Sequence, residues 1–292
     1  MEKVLFIVNP ISGGKDKDRI IALIDKLIDK ARFGYEIIKT TRRGQATEIA
    51  RDCDADIVVA VGGDGTVSEV AQGLVGSRKA LGIIPCGSGD GLALHLGISR
   101  NPKKAILQLN KATVTSMDHG IVNGRPFFCT TGVGFDAIVG RDFASSKSRG
   151  LWTYITTAMK DWLNFEPESY TVEVDGQKWA GRAAMITVGN VNQWGNQARI
   201  TPLASVTDGL FDVTIVEPFR TWEIPGLALK LLTGQAHKSR RTICLRGAEV
   251  MIHRASEGAM HYDGDPCEEG KEIKITMVPA ALRVAAPDNK KI

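Results

Sequence analysis

The first 118 residues alternate short apolar runs with stretches whose apolar residues recur at helical spacing. Each run is long enough for one buried strand and is followed by a loop and a helix-like stretch. Parallel strands need crossover connections of this kind, so the alternation predicts an α/β domain with a parallel sheet covered by helices on both faces. The predicted strands are residues 4–8, 35–40, 57–61 and 81–84.

The pattern changes after residue 118. Strand-like runs are now separated by hairpin signals at Asn123-Gly124, Asp175-Gly176 and Asp263-Gly264. Two helix-like stretches, residues 151–163 and about 222–232, interrupt them. We therefore predict two domains, an α/β domain at residues 1–118 and a β-rich antiparallel domain at residues 119–292. Whether the last strand packs back on the first domain is left open.

Composition limits the partners and the compartment. The 37 Lys and Arg residues exceed the 33 acidic residues by a net charge of only +4, which is too small to indicate nucleic acid as a partner. Five scattered cysteines without a C-x-x-C pair indicate neither a disulfide framework nor a zinc site, so we expect a reducing, cytoplasmic compartment. The first apolar run is too short for a secretory signal, and no run reaches the roughly 20 residues of a transmembrane segment.

A glycine-rich turn, Gly62-Gly63-Asp64-Gly65-Thr66, follows the third predicted strand and opens a helix. Glycines let a backbone turn tightly and bring its N–H groups against phosphate oxygens, and a helix N-terminus adds partial positive charge. An aspartate inside such a turn is expected where a metal ion or a hydroxyl group is also bound. We expect Thr66 to be the N-cap of the helix. The alternative interpretation is a Gly-rich turn with a capping Asp.

Two more loops follow predicted strands in the same way. Residues 9–14 come after the first strand and residues 85–91 come after the fourth. The carboxyl ends of parallel strands meet at one edge of a sheet, where ligands bind in open α/β folds. We therefore predict that the three loops converge on one phosphate-binding site.

The motifs N-P-x-S-G-G, G-G-D-G-T-x-x-E-V and P-x-G-S-G-x-G-L-A in these loops resemble the diacylglycerol kinase catalytic family. That family includes bacterial diacylglycerol and YegS-like lipid kinases and the sphingosine and ceramide kinases. The resemblance covers nearly the whole chain and implies an α/β nucleotide-binding domain followed by a β-rich C-terminal domain. NAD kinases and phosphofructokinases share the G-G-D-G core, while the third loop and the C-terminal motifs favour the lipid kinases.

The resemblance implies ATP and Mg²⁺ as cofactors. It places the ATP phosphates on the three loops and Thr40 against the nucleotide, with Glu69 bracing the turn. The implied cofactor-binding residues are Asn9, Ser12, Gly13, Thr40, Gly62, Gly63, Asp64, Gly65, Thr66, Val67, Ser68, Glu69, Gly87 and Ser88. Asp90 stands where the family commonly has Asn. The negative charge of Asp90 is unfavourable near phosphates unless its carboxylate binds a metal ion or its side chain points away from them.

Two aspartates are implied as catalytic. Asp265, in the segment 261–265, matches the family carboxylate that accepts the proton of the lipid hydroxyl, although Glu is usual there. Asp64 is expected near the same hydroxyl. The alternative for the Asp263-Gly264 segment is a type I′ hairpin turn without a catalytic role.

Other positions in the second domain also match family sites. Asp136 matches a position at which sphingosine kinases hold the polar head of the lipid, and capping of a following helix is the alternative. Ser205, Asp208 and Leu210 match a structural magnesium site of some bacterial members, in which backbone carbonyls supply part of the oxygen shell.

Two segments have features suited to a lipid surface. The basic residues 147–150 lead into the aromatic stretch 151–163, which is either an interfacial lipid gate or a core helix. The basic segment 237–241 either meets anionic headgroups or forms a solvated turn.

The resemblance therefore implies an ATP-dependent lipid kinase that transfers the γ-phosphate to a hydroxyl of a diacylglycerol-like or sphingoid lipid. It would act as a cytoplasmic, peripheral protein at the inner membrane surface, with no nucleic acid partner, and a homodimer is an open option. One alternative is an NAD kinase-like small-molecule kinase. The other is a catalytically silent nucleotide-sensing protein.

Overall fold

The computed structural model describes residues 1–14, 16–145, 162 and 165–288. The chain divides into two compact units. Unit 1 comprises Met1–His119 and Pro279–Ile292, and unit 2 comprises Gly120–Val278. The basic segment 147–150 lies outside the described residues, as does the predicted helix 151–163 apart from Trp162.

Unit 1 is built on a parallel sheet whose strands are connected through helices. Its strands are β1 (Glu2–Val8), β2 (Phe33–Lys39), β3 (Ile57–Gly62) and β4 (Ala80–Pro85), and its helices are α1 (Lys17–Leu27), α2 (Gln45–Asp52), α3 (Asp64–Leu74), α4 (Gly91–His95) and α5 (Pro102–Leu109). The strands lie in the order β2-β1-β3-β4 and run parallel to one another. The predicted α/β class of this part of the chain is confirmed.

The apolar pattern explains the order of these strands. Every residue of β3 and β4 is buried, as expected for strands covered on both faces. The edge strand β2 is only partly buried. The helix α1 begins after Asp16, whose carboxylate accepts hydrogen bonds from the N–H groups of Asp18 and Arg19 at 3.0 and 3.1 Å.

Unit 2 is an antiparallel β sandwich. The chain passes from unit 1 to unit 2 within β5 (Thr113–Val122). The elements that follow are β6 (Arg125–Phe127), β7 (Thr130–Gly134), α6 (Phe135–Ser145), β8 (Glu168–Val174), β9 (Gln177–Ala183), β10 (Met185–Gly189), β11 (Phe211–Val216), α7 (Ile224–Leu232), β12 (Thr242–Gly247), β13 (Glu249–Arg254), β14 (Gly258–Tyr262) and β15 (Asp265–Glu269). One sheet has the order β12-β11-β10-β7-β14-β15, and β13, β8 and β9 pair in the other. A single apolar cluster joins strands of both sheets. The β-rich antiparallel class is confirmed.

The last strand, β16 (Glu272–Ala286), contributes to both units. Its residues 272–276 pair antiparallel with β13 in unit 2. Arg283 and Val284 pair in parallel with β4 in unit 1. Leu282 and Val284 are 0% exposed, so the returning segment is part of the core of unit 1.

The predicted hairpin turns are confirmed. Asn123, Asp175 and Asp263 have φ values of 45°, 45° and 49°, and the glycine after each also has a positive φ. Two consecutive residues with positive φ are what a type I′ turn requires, and Asn-Gly or Asp-Gly supplies them at low cost. The carboxylate of Asp175 also accepts hydrogen bonds from the N–H groups of Ala248 and Glu249 at 2.9 and 2.8 Å. These turns therefore fix strand ends as well as reversing the chain.

The helix expected at about 222–232 is present, as a 3-10 turn at Thr221–Glu223 followed by α7. Within the residues that the structure describes, no helix is both long enough and apolar enough to cross a bilayer.

Candidate active site

The loops that follow β1, β3 and β4 lie against one another in unit 1, so their predicted convergence is confirmed. A Cβ atom added to Gly13 would lie 1.7 Å from the carbonyl oxygen of Cys86, and one added to Gly87 would lie 2.8 Å from the Cα of Gly63. The Cys86 N–H group also donates to the Gly62 carbonyl at 2.7 Å. Only glycine allows backbones to approach this closely, which explains why each loop carries one at the contact.

Asn9 connects the first loop to the glycine-rich turn. Its Nδ2 donates to Thr66 Oγ1 at 3.0 Å, and its Oδ1 accepts from the Ile11 N–H at 3.1 Å. The expectation that Thr66 is the N-cap of the helix is wrong, because α3 begins at Asp64 with Gly63 as its N-cap. Gly63 has no side chain that could cap this helix. The N–H groups at a helix N-terminus point away from the helix, where an anion can accept hydrogen bonds from them.

The carboxylate of Asp64 holds the glycine-rich turn to the third loop. Its Oδ2 accepts from the Asp90 N–H at 2.9 Å, and its Oδ1 accepts from the Gly91 N–H at 2.8 Å. Burial and the neighbouring Asp90 carboxylate raise the pKa of Asp64, and the backbone hydrogen bonds partly offset this rise. Asp64 thus positions two loops, whatever further role it has in the reaction.

Asp90 turns its side chain into the protein and meets a cation there. Its φ is 53°, and its carboxylate accepts from the Gly87 N–H at 2.8 Å and from Arg100 Nε at 3.2 Å. Arg100 also donates from Nη2 to the Ser88 carbonyl at 2.7 Å. The negative charge at this unusual position is therefore balanced, with no metal ion required. Sequence reasoning missed Arg100, because it lies beyond α4 and outside every motif.

Lys17 is a second site residue that the sequence did not single out. It is 6% exposed, and its ammonium group donates to the Ser12 carbonyl in the first loop. A buried ammonium group beside a glycine-rich loop can contribute to neutralising an anion bound there. In sequence it is one of several basic residues at the start of a helix, which is an unremarkable pattern.

The other predicted cofactor-binding residues lie on or beside the same loops. Thr40 is buried at the end of β2, where its N–H donates to the Val8 carbonyl at 2.9 Å. Gly13 and Gly14 have consecutive positive φ values of 59° and 52°, a left-handed backbone that glycine adopts without strain. The Glu69 carbonyl accepts from Thr47 Oγ1 at 2.8 Å, and bracing by the Glu69 side chain stays a prediction. Ser12, Gly65, Val67, Ser68 and Ser88 complete the set.

In unit 2, Asp136 lies in the first turn of α6 and is enclosed by hydrogen-bond donors. It accepts from the Ala137 N–H at 2.9 Å and from Thr187 Oγ1 at 3.0 Å, and His261 Nε2 lies 3.2 Å from its Oδ2. Asp136 and His261 are 8% and 5% exposed. Asp136 therefore fixes the imidazole of His261, a contact across 125 residues that no local pattern reveals.

The Asp263-Gly264 turn has a structural role that its sequence does not show. The Asp263 carboxylate accepts hydrogen bonds from the Phe128 N–H at 2.9 and 3.0 Å and from the Cys129 N–H at 2.6 Å. Asp265 follows as the first residue of β15, paired with Tyr262 and partly exposed. The turn thus holds Asp265 at a defined place in unit 2, and its role as proton acceptor stays a prediction.

The residues matched to a structural magnesium site precede β11, and protein donors hold the Asp208 carboxylate among them. Asp208 pairs through Oδ2 with the Arg246 guanidinium, and its Oδ1 accepts from the Leu210 N–H at 3.1 Å. Arg246 also lies 3.4 Å from Asp212, whose burial raises its pKa to about 6. The described residues contain no cluster of three His, Cys, Asp or Glu side chains that could hold a metal ion. Binding of a cation at Ser205, Asp208 and Leu210 stays a prediction.

Comparison with known proteins extends these observations. A crystal structure of a diacylglycerol kinase from Bacillus anthracis superposes with a TM-score of 0.76 at 21% identity, covering 98% of this chain and 97% of that one. An NAD kinase from Archaeoglobus fulgidus in complex with ATP gives a TM-score of 0.56 at 14% identity, covering 98% and 94%. Both show likeness of fold.

Sequence comparison is more specific. The chain is 27% identical over 273 residues to a diacylglycerol kinase of Bacillus subtilis, covering 91% of this chain and 90% of the relative. Residues 3–122 match the family model described as "Diacylglycerol kinase catalytic domain". Residues 129–286 match the one described as "YegS C-terminal NAD kinase beta sandwich-like domain". The chain therefore belongs to the diacylglycerol kinase catalytic family, with the YegS type of C-terminal domain.

Proposed function

We propose that this protein is an ATP-dependent lipid kinase that transfers the γ-phosphate of ATP to a hydroxyl of a diacylglycerol-like or sphingoid lipid. The observation that carries the proposal is the contact of three glycine loops at the carboxyl ends of β1, β3 and β4. The name of the Bacillus subtilis relative supports a lipid as the acceptor. We propose the inner membrane surface as the place of action, because such an acceptor resides in a bilayer.

The donor half of the reaction belongs to unit 1 in this proposal. The open N-terminus of α3 and the N–H groups of Gly13 and Gly14 bind the ATP phosphates, and Lys17 adds a positive charge. Asp64 keeps the second and third loops in register, so the phosphates meet a fixed set of donors. Mg²⁺ bound with ATP would neutralise charge on the phosphates. Positioning and neutralisation are most of what phosphoryl transfer requires from an enzyme.

The acceptor half needs a base for the lipid hydroxyl. In the proposed step the hydroxyl oxygen attacks the γ-phosphorus, the bond from that phosphorus to the β,γ-bridging oxygen breaks, and ADP leaves. The hydroxyl proton passes to the carboxylate of Asp265. The hydrogen-bonded Asp263 turn supports this assignment, because it holds the first residue of β15 in place.

The test is transfer of labelled γ-phosphate from ATP, with Mg²⁺, to diacylglycerol, monoacylglycerol, ceramide and sphingosine in mixed micelles, with NAD as a soluble acceptor. We expect label in a lipid. Asp64→Asn should lower the rate at least about 100-fold, because an amide cannot accept both loop N–H groups. Asp265→Ala should lower it by about 100-fold to 10,000-fold through loss of the base.

Asp54→Asn is the matched control, since the side chain of Asp54 is 95% exposed and pairs only with Lys3 among the residues described. Its rate should equal that of the unmodified protein. Label in NAD alone, or in no acceptor, would contradict the lipid kinase proposal. Full activity in Asp265→Ala would remove that residue from the mechanism.

A further inference from the structure

The helix α7 is apolar on all sides but lies at the surface of unit 2. Its sequence I-P-G-L-A-L-K-L-L has Lys230 as the one charged residue, and none of its residues is buried. Leu229 and Leu232 are 63% and 57% exposed, and Trp222 in the preceding 3-10 turn is 72% exposed. A helix with this composition normally lies inside a protein or against lipid. A contiguous apolar surface of this kind marks an interaction site.

Within the described part of the chain, α7 packs on its own unit through Leu227 and Leu231, which contact a small buried core of unit 2. The exposed residues follow one another at spacings of three and four, which places them along one line of a helical surface. This line, which we call the apolar ridge, consists of Trp222, Pro225, Leu229 and Leu232.

Basic side chains flank the apolar ridge. Residues 217–241 carry five Lys and Arg and two acidic residues, so they hold +3 of the chain's net charge of +4. The acidic Glu223 is paired, since it accepts from Arg241 at 3.0 and 3.2 Å, and this lowers the pKa of Glu223. Lys238 and Arg240 are exposed, and neither forms an ion pair with another described residue. Their charges therefore face solvent uncompensated.

We propose that the apolar ridge and the basic residues beside it form a docking surface for a bilayer containing anionic lipid. This rests on the proposed function, because a lipid kinase has to reach an acceptor held in a membrane. Trp222 and the leucines would enter the boundary between headgroups and acyl chains, where Trp is favoured. Lys238 and Arg240 would meet the phosphates of anionic headgroups. A second copy of the chain is a poorer occupant, because a two-fold interface would bring two positive segments together.

Cosedimentation with vesicles tests this surface directly. The unmodified protein should bind vesicles of equal parts phosphatidylglycerol and phosphatidylcholine, and bind pure phosphatidylcholine at least about tenfold more weakly. The double variant Leu229→Gln/Leu232→Gln should bind the anionic vesicles about tenfold more weakly or worse. Lys238→Gln/Arg240→Gln should lose about tenfold and show a weaker dependence on salt. The matched control is Leu107→Gln, a 42% exposed leucine on α5, which should bind normally.

The vesicle-binding results either support or contradict the docking surface. Binding of the leucine variant equal to that of the unmodified protein would overturn the proposal, as would binding that ignores anionic lipid. Circular dichroism checks that each variant is folded. The charge variant alters only exposed side chains, so it keeps the test decisive if the leucine variant does not fold. Loss of self-association in size-exclusion chromatography, with vesicle binding kept, would assign the ridge to contact between copies and overturn membrane docking.

The docking surface and the proposed function can fail separately, because vesicle binding is measured without ATP. Binding to anionic vesicles without labelling of any lipid would remove the function and keep the surface. Labelling in mixed micelles without any vesicle binding would do the reverse. If both hold, the leucine variant loses labelling of lipid in vesicles and retains labelling of the same lipid in detergent micelles.

Discussion

Asp64 and Asp90 place two carboxylates on neighbouring loops of unit 1. Asp90 raises the pKa of Asp64, in addition to the effect of burial. Two like charges this close to the proposed phosphate-binding turn would oppose ATP binding if nothing balanced them. Arg100 supplies the balance by pairing with Asp90 at 3.2 Å and holding the Ser88 carbonyl. The third loop therefore has an ion pair between Asp90 and Arg100 at a position where a neutral Asn is the common residue in the family that the sequence resembles.

A neutral side chain at position 90 should strengthen ATP binding. Asp90→Asn removes one negative charge from the loop and leaves the Arg100 guanidinium free to attract phosphate. Asp90 is buried and paired with Arg100, so the loss of its charge should change the binding free energy of a nearby phosphate by only about 1 kcal/mol, and the dissociation constant for ATP should fall about fivefold. Isothermal titration calorimetry at low ionic strength measures this change.

The salt dependence of ATP binding and a distant control variant show whether the effect of Asp90→Asn is electrostatic and local. The gain should shrink in high salt, because ions screen a charge effect. Asp54→Asn, also a loss of one negative charge, should leave ATP binding unchanged, since Asp54 is fully exposed and lies outside the loops. Unchanged or weaker binding in Asp90→Asn would mean that this carboxylate does not act on the phosphates.

The positions of the site residues were predictable where they depend on local sequence. The glycines and Asp64 stand out because they follow buried strands at the ends where ligands bind. The partners of these residues did not, because contacts such as Arg100 with Asp90 or His261 with Asp136 depend on how the chain returns in space. Lys17 was missed because its burial depends on tertiary packing, and helix-start lysines are usually exposed.

Among the elements, the first loop shows how a single atom limits the approach of two chain segments. Gly13→Ala would place a Cβ 1.7 Å from the Cys86 carbonyl oxygen, so the first and third loops would have to separate. We expect ATP affinity to fall at least about tenfold, because displacement of phosphate donors by about 1 Å is costly. ATP titration of the folded variant measures this loss.

Gly14→Ala is the matched control for this variant. Gly14 has nearly the same positive φ, 52° against 59°, and a Cβ there would meet no atom within 4 Å. Both variants therefore carry the cost of a left-handed alanine, about 1–2 kcal/mol, and only Gly13→Ala adds the clash. Equal losses of ATP affinity in the two variants would contradict the idea that loop contact controls the site.

Elements were easier to predict from sequence than their ends. The four strands of unit 1, the hairpin turns and α7 follow from apolar period and Asn-Gly or Asp-Gly pairs. The start of α3 was placed too late, because Thr66 is a good capping residue by composition, whereas Gly63 occupies the cap. Thr66 instead receives a hydrogen bond from Asn9 of another loop, which explains why a capping residue is found inside the first turn.

At the scale of the whole molecule, the core of unit 1 depends on the far end of the chain. Leu282 is 0% exposed in a segment that pairs with β4. Leu282→Ala should therefore lower the free energy of unfolding by about 2–5 kcal/mol through loss of buried surface and creation of a cavity. Urea unfolding measures this, with Leu107→Ala as the control, because Leu107 is 42% exposed. Similar losses in both variants would contradict the role of the returning strand.

The class of each unit was predictable, because strand–helix alternation and hairpin spacing are patterns along the sequence. The membership of residues 279–286 in unit 1 was left open, since a strand carries no local sign of which neighbour it pairs with. Pairing of Arg283 and Val284 with β4 joins residues about 200 positions apart, as the 205-residue separation of the Arg283–Arg78 hydrogen bond shows.

The strand β16, which both units share, also affects the order in which the two units can fold during synthesis. Residues 1–119 leave the ribosome before residues 120–286, and domains commonly fold in the order in which they are made. Here residues 1–119 lack one of the two neighbours of β4 until residues 279–286 have been synthesised, whereas residues 120–278 form a continuous unit. The glycine loops of unit 1 are thus translated before the strand that completes their sheet, so a nascent chain can complete the core of unit 1 only after residues 279–286 have been made.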